Sequence, residues 1–250
     1  MCYYTSVKTT GSQLAKAIQA PFPKQDLFEP IYKANGFDHP DLPVLYIGPD
    51  GKSLDLFTWG LIPFWVKDIT AAKKLWNQTL NAKSEEIFEK PSYRDSIHPT
   101  KGNRGLARRC IIPVTGFFEY KHIFESEGST KVIEKIPHYI RPKEQEFFYL
   151  AGIYSTWQDP ATRERIATFS ILTTAANTLM AEIHNSAKRM PLMIDEGLIS
   201  AWLDPELSKP GIVELMNPCD DSDMAAYPIT KEFLKIDTAE VLEPANYGTN

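Results

Sequence analysis

The sequence predicts an α+β fold, one domain (2–250) built on a mostly antiparallel, curved, barrel-like β-sheet with peripheral helices. Three observations predict it. Strand-type segments predominate and come in pairs, the helical segments are short, and the two kinds do not alternate as a parallel sheet requires. The chain has 250 residues, enough for one large core. No linker, repeat or low-complexity tract divides it.

In chain order, TTGSQLAKAIQA (9–20) starts polar and then spaces its apolar residues at helical intervals. VLYIGPDGKSLDLFTW (44–59) sets apolar runs on both sides of PDG, a turn-forming cluster, and reads as a β-hairpin. WNQTLNAKSEEIFEKPSYR (76–94) is polar, basic at intervals and flanked by aromatics; it reads as a loop leading into a short helix. RCIIPVTGFFEY (109–120) has a buried-strand pattern broken by Pro113 and Gly116. PHYIRPKEQEFFYLAGIYSTW (137–157) reads as a second hairpin with KEQ at its tip, and RIATFSILTT (165–174) as a strand rich in β-branched and aromatic residues. ANTLMAEIH (176–184) puts Leu179, Met180 and Ile183 on one helix face. DEGLISAWLD (195–204) opens with acids, which suit a helix N-terminus, and is followed by a proline. Prolines also interrupt the apolar stretches WGLIPFW, RCIIPV and KRMPLMI. Proline cannot donate to a ladder, so strands should end, bulge or run along an edge there, and such places often carry sites.

Composition narrows the class. Hydrophobic residues make up 43% and charged residues 24%, as in ordinary globular proteins. No window approaches the ~18 apolar residues of a membrane span, and no secretory signal pattern opens the chain. Cys2, Cys110 and Cys219 are an odd number without zinc-type spacing. They imply free thiols in a reducing compartment, which reads as a cytoplasmic location. The formal net charge of −5 argues mildly against a nucleic-acid partner. Its distribution points the other way: between Trp59 and Arg109 stand ten Lys/Arg against five Asp/Glu, leaving about −10 for the remainder. A local phosphate-binding surface and a merely uneven solvated surface both fit that pattern.

The start of the chain, MCYYTS, carries the first chemical candidate. Cysteine is small enough for methionine aminopeptidase to remove Met1 ahead of it. Cys2 would then bear an α-amine of pKa roughly 7.7 beside a thiol of roughly 8.5. Near neutrality both would be partly in their nucleophilic forms. Such a 1,2-aminothiol reacts with an aldehyde in two steps: the amine forms an imine, and the adjacent sulfur closes a five-membered thiazolidine on the same carbon. The second step is intramolecular, with an effective molarity that reaches roughly 10⁵ M. On position alone an incidental Cys2 is the favoured reading, and a terminal Cys acting as an amide-hydrolase nucleophile is a further one.

Three further stretches hold polar residues in apolar settings. Asn81 and Lys83 in 76–94 could set an amide near a reacting group and a cation near a phosphate. Glu119 ends an apolar strand between aromatics. Desolvation there raises a carboxyl pKa towards the range useful for proton transfer; a solvent-facing strand end is the alternative. His184 closes an apolar helix face ahead of a basic strand start, as a structural histidine also would, and Arg189 supplies a charge able to hold a phosphate.

Together MC at the start, WGLIPFW (59–65), NAKSE (81–85), RCIIPVTGFFEY (109–120), AGIY (151–154), SILTTAAN (170–177) and IH…RMPLMI (183–194) resemble, in order, the SOS-response-associated peptidase (SRAP) family. The resemblance runs from residue 2 to about 204 and leaves 208–250 loosely matched. It implies a single α+β domain with a barrel-like sheet, binding to single-stranded DNA containing abasic sites, and a covalent thiazolidine between the mature Cys2 and the ring-opened sugar aldehyde. It also implies autoproteolytic removal of Met1, and no membrane, metal or cofactor. A monomer, nucleoid-associated if the source is bacterial, goes with that reading. Carried over by motif, Cys2 is the nucleophile, Asn81 positions the amine or the sugar, Glu119 shuttles protons at the amine, and His184 protonates the sugar ring oxygen. Lys83, Arg94 and Arg189 are then candidates for backbone phosphates. Trp59 and Trp65 are candidates for stacking on bases, with burial in the core as the alternative for both.

This chain departs from the family pattern in three places. Tyr3 and Tyr4 follow Cys2 where the family has Gly-Arg. Lys83 stands for the arginine of NAR and loses the bidentate fork. His184 and Arg189 are five residues apart rather than two. Two rival functions stay open on sequence: an N-terminal-Cys amide hydrolase of the glutamine amidotransferase type, and a non-covalent single-strand binder.

Overall fold

The computed structural model describes residues 2–98 and 107–247. Five strands close into a barrel: β3 (Asp41–Gly48), β4 (Gly51–Trp59), β6 (Arg109–Val114), β9 (Phe148–Gln158) and β10 (Arg165–Ala175), in the order β10-β4-β3-β6-β9 with β9 paired back to β10. A second, antiparallel sheet has the order β12-β8-β7-β1-β2. Its members are β1 (Tyr4–Val7), β2 (Ile31–Asn35), β7 (Gly116–Phe124), β8 (Val132–Pro142) and β12 (Met224–Pro228). Two three-residue strands, β5 (Asn81–Lys83) and β11 (Arg189–Pro191), pair with the end of β10. The helices are short: α1 (Gly11–Ile18), α2 (Ile69–Trp76), α3 (Arg94–Ile97), α4 (Thr178–Ile183), α5 (Ile199–Leu203) and α6 (Lys209–Glu214). The fold is α+β with a barrel, as the sequence predicts.

Local signals account for several elements. The β3–β4 hairpin turns through Pro49 and Asp50, and Gly51 takes φ 105°, a conformation that favours glycine. Thr10 and Gln13 form a capping box at the start of α1. Asn177 caps α4 by accepting from the Met180 N–H at 2.9 Å.

The segment 137–157 is not a hairpin. β8 pairs with β7 and β12, whereas β9 pairs with β6 and β10 in the barrel. Phe148–Ile153 is buried without alternation, so β9 needs cover on both faces and a neighbour on both edges. β8 is partly solvent-facing and belongs to the other sheet. Two apolar runs around a polar tip look the same in either arrangement.

The segment 109–120 also divides between the sheets, and its break positions the site. β6 ends at Val114, and β7 begins at Gly116 against β1, with Ser6 opposite Gly116. The switch is held by a buried polar node. The Thr115 N–H donates to the Ser6 carbonyl at 2.8 Å, the Tyr139 hydroxyl donates to the Thr115 carbonyl at 3.0 Å, and the Ser6 and Tyr139 hydroxyls lie 2.8 Å apart. Only a glycine fits beside it. A Cβ on residue 116 would lie 2.4 Å from the Tyr139 ring and 2.6 Å from the Ile140 carbonyl oxygen.

β10 is the pivot of the second half. Ile171 faces Gly152 of β9 on one edge and Asn81 of β5 on the other. Thr173 likewise faces Lys83 of β5 and Pro191 of β11. One strand therefore carries both short strands that flank the site. Elsewhere in the core, Arg109 is buried, with the Asp204 charge partly offsetting its desolvation. Its guanidinium donates to the carbonyls of Trp202 at 2.7 Å, Ile97 at 2.6 Å and Asp204. Burial lowers its pKa to about 10. The segment after 208 is integral to the structure: β12 extends the second sheet, and Phe233 and Val241 pack with Phe118 and Tyr139 on its outer face.

Gly116→Ala forces backbone apart at the sheet switch, because one of the groups it meets is a carbonyl of β8. The expected cost is about 1–3 kcal/mol of folding stability, read as a lower urea midpoint with an unchanged slope.

Candidate active site

The β1–β7 ladder delivers the chain's start to the site. Tyr4 pairs with Phe118 and Thr5 with Phe117. Continued towards the start of the chain, this register sets Tyr3 and Cys2 beside Glu119 and Tyr120. Side chains alternate along β7. Phe117 joins the main core that contains Cys2, while Phe118 and Tyr120 join the outer cluster. Glu119 shares the face of Phe117 and is only 7% exposed.

Asn81 enters from β5. Its Nδ2 donates to the Cys2 carbonyl at 2.8 Å, and its own carbonyl accepts from the Tyr93 hydroxyl at 3.1 Å. Its Oδ1 is buried and has no hydrogen-bond partner among the described residues. His184 enters from the end of α4 and is also 7% exposed. Its Nδ1 lies 2.7 Å from the Arg189 carbonyl oxygen, which can only accept, so Nδ1 carries the proton. Nε2 is thereby aimed at Glu119 Oε2, 3.9 Å away. The turn between His184 and Arg189 includes Lys188 at φ 49°, which returns the Arg189 carbonyl to the imidazole despite the longer spacing.

These surroundings push the ionisable groups in opposite directions. Burial raises the Glu119 carboxyl to about 7. Burial lowers His184 from its ordinary value, opposed in part by its hydrogen bond to Arg189. The Cys2 side chain has no exposed surface, and burial, followed by the Glu119 charge, drives its thiol far above the usual range. This corrects the sequence expectation of a thiol partly ionised near neutrality: the group is a neutral thiol that needs a base to remove its proton.

The profile of the family described as SOS response associated peptidase (SRAP) matches residues 1–236. The chain belongs to the SRAP family. Among curated SRAP relatives, YoqW of Bacillus subtilis is 34% identical over 194 residues, covering 76% of each chain. YoaM of the same organism is 32% identical over 231 residues, covering 90% of this chain and 89% of its own. Both are named abasic site processing proteins. A crystal structure of a protein from Bacteroides thetaiotaomicron superposes with a TM-score of 0.87 at 35% identity, covering 98% of this chain and 100% of that one.

The remaining candidates in this SRAP chain separate by exposure. Lys83 is half-exposed, 3.6 Å from Glu86 Oε1, and Arg94 is half-exposed, 3.9 Å from Asp95 Oδ1. Arg189 is mostly buried: its guanidinium grips both Glu85 oxygens and donates to the Thr173 carbonyl at 2.6 Å. Trp65 is 47% exposed, beside exposed Phe64. Trp59 is a correction. It is wholly buried, stacks on Phe169 at 6.1 Å between centroids and donates its indole N–H to the Leu80 carbonyl at 2.9 Å, so it offers no face to a base. Met1, and the part of the basic stretch between 99 and 106, lie outside the described residues.

Asn185 is a positioning residue that sequence reasoning missed. Its side chain accepts from the His122 N–H at 3.0 Å and donates to the His122 carbonyl at 2.8 Å, tying the residue after His184 to the strand that carries Glu119. Glu85 was missed as well, though its place in NAKSE, two residues beyond Lys83, was visible. No helix among the described residues is long and apolar enough to cross a membrane.

The raised Glu119 pKa has a stability consequence. Between the ordinary 4.5 and about 7, the folded chain holds a proton that the unfolded chain has released. Stability therefore falls as pH rises through that window and stays lower above it. Glu119→Gln removes the penalty. Urea unfolding at stepped pH should find the variant more stable than the parent by about 3 kcal/mol near pH 8, with the gap closing below pH 4.5.

Proposed function

We propose that this chain captures abasic sites in single-stranded DNA through a covalent thiazolidine on Cys2, after removing its own Met1. One observation carries the reading: Asn81 and the Glu119–His184 pair, from three separate elements, converge on the start of the chain.

The chemistry follows from the protonation states. An abasic sugar is mostly a closed hemiacetal, so opening it needs a proton at the ring oxygen. Glu119, partly protonated near pH 7, shares its proton with His184 Nε2, and the resulting imidazolium is the donor. As the ring opens, the hemiacetal hydroxyl proton passes to the Glu119 carboxylate and restores its acid form. The freed amine of Cys2 attacks the aldehyde carbon, with Asn81 Oδ1 accepting one of its N–H groups, and a proton moves from that nitrogen to the new alkoxide oxygen. The carbinolamine loses water with Glu119 supplying the proton, which leaves an imine. The Cys2 thiol then gives its proton to the Glu119 carboxylate as sulfur bonds to the imine carbon, and the ring nitrogen takes up a proton. An imine left open at that carbon would acidify its neighbour and invite elimination of the 3′ phosphate. Ring closure by sulfur suppresses that strand break. Lys83 and Arg94 hold backbone phosphates, and Trp65 stacks on a base.

The test is a denaturing gel of protein mixed with single-stranded DNA containing one abasic site. The parent gives a shifted band that survives denaturation, and its intact mass lacks one Met. Cys2→Ala gives no band. Cys2→Ser, able to form the imine but not the thiazolidine, shifts the product towards strand cleavage. Glutamine hydrolysis without a band, or binding that salt abolishes with no band, overturns the proposal. Glu119→Gln and His184→Gln should each slow cross-linking by about 10²-fold or more. In Glu119→Gln the fall in rate above pH 7 should disappear. Lys83→Ala and Arg94→Ala should weaken non-covalent binding and each reduce the salt slope by about one.

A further inference from the structure

A second cluster of reactive side chains lies away from Cys2, at the opposite end of α4 from His184. Cys219 Sγ sits 3.5 Å from Met193 Sδ and 3.7 Å from Met224 Sδ. Both methionines are buried, and Cys219 is half-buried. A cavity of about 30 Å³ adjoins Cys219 and Met193 and is also lined by Asp195 and Asp223. That space is enough for a water-sized ligand. The site is electronegative: after burial, the charges of Asp223 and Asp195 are the next causes that raise the Cys219 thiol to about 12.

The donor set selects its ligand. One thiolate and two neutral thioethers are soft donors, which favour Cu(I), whereas Mg²⁺ and Ca²⁺ require oxygen. Among the described residues no three His, Cys, Asp or Glu side chains are grouped to hold a metal ion. This cluster differs because two of its donors are thioethers. A metal–sulfur bond of about 2.3 Å places the corners of a trigonal site roughly 4 Å apart. Both measured separations are a few tenths of an ångström shorter, a spread that unbranched methionine side chains accommodate. The adjoining carboxylates attract a cation, an unexpected company for sulfurs that serve only as apolar filling.

We propose that Cys219, Met193 and Met224 bind one Cu(I) per chain. Binding exchanges the Cys219 thiol proton for the metal: the S–H bond breaks, the S–Cu bond forms, the proton leaves to solvent, and no oxidation state changes. Asn177 secures the seat, donating from Nδ2 to the Cys219 carbonyl at 3.1 Å and to Met224 Sδ at 3.3 Å.

The test titrates the full chain anaerobically with Cu(I) against a chromophoric Cu(I) chelator while the methionine methyl signals are followed by NMR. One equivalent should be retained, with the Met193 and Met224 methyls shifted and those of Met180 and Met216 unmoved. Cys219→Ser should lose that equivalent. Met193→Leu combined with Met224→Leu should weaken it about 100-fold or more while leaving abasic-DNA cross-linking intact. Retention of the equivalent in Cys219→Ser, unmoved Met193 and Met224 methyls during uptake, or preference for Zn(II) over Cu(I) overturns the proposal. The methyl readout needs no substitution, so a variant that fails to fold does not shelter it.

Discussion

The register between β1 and β7 is the constraint from which the site follows. β1 spans only Tyr4–Val7, and a slip of one residue would turn every side chain of it to the opposite face. The node of Ser6, Thr115 and Tyr139 forbids the slip, because its hydroxyls and carbonyls are buried and satisfied only in one alignment. Gly116 lets the Tyr139 ring approach the backbone at that point. The same alignment carries the residues before Tyr4 up to Glu119, where Cys2 and Glu119 are both buried.

Around that alignment the protein holds groups in states that water would not favour. A carboxyl is pushed up and an imidazole pushed down within 3.9 Å of each other, so the carboxyl becomes a competitor of the imidazole for one proton. Such a pair can pass a proton either way at little cost, which suits a reaction that must donate, then accept, at neighbouring atoms. The tautomer is fixed by backbone rather than by another ionisable group, through the Arg189 carbonyl. The length of the turn before Arg189 therefore matters less than where its carbonyl ends.

What could be read from the sequence was mostly local. The PDG turn, the apolar face of α4 and the strand at 165–174 are each specified within about a dozen residues, and each is present. The segment 137–157 was misread because the partner of a strand depends on which faces are buried across the whole molecule. Trp59 was ambiguous for a similar reason: an aromatic before a Gly looks the same in a groove and in a core. Cys2, Asn81, Glu119 and His184 were identifiable as residues through their ordered motifs, but their meeting depends on pairings between strands far apart in the chain, β1 with β7 and β5 with β10. Asn185 carried no sequence signal, since an Asn in a turn is commonplace and its partner is the backbone of His122. The ionisation of Cys2 was missed because neighbouring sequence does not record burial.

The buried Arg109 gives the barrel a property apart from its chemistry. It is anchored by hydrogen bonds to carbonyls at the ends of α3 and α5, with the Asp204 charge beside them. Mobile ions screen attractions between exposed charges, but they have no access to these contacts. Brine strong enough to strip a polyanion from half-exposed lysine and arginine side chains would leave this end of the scaffold closed. Adhesion and architecture therefore respond to ionic strength independently.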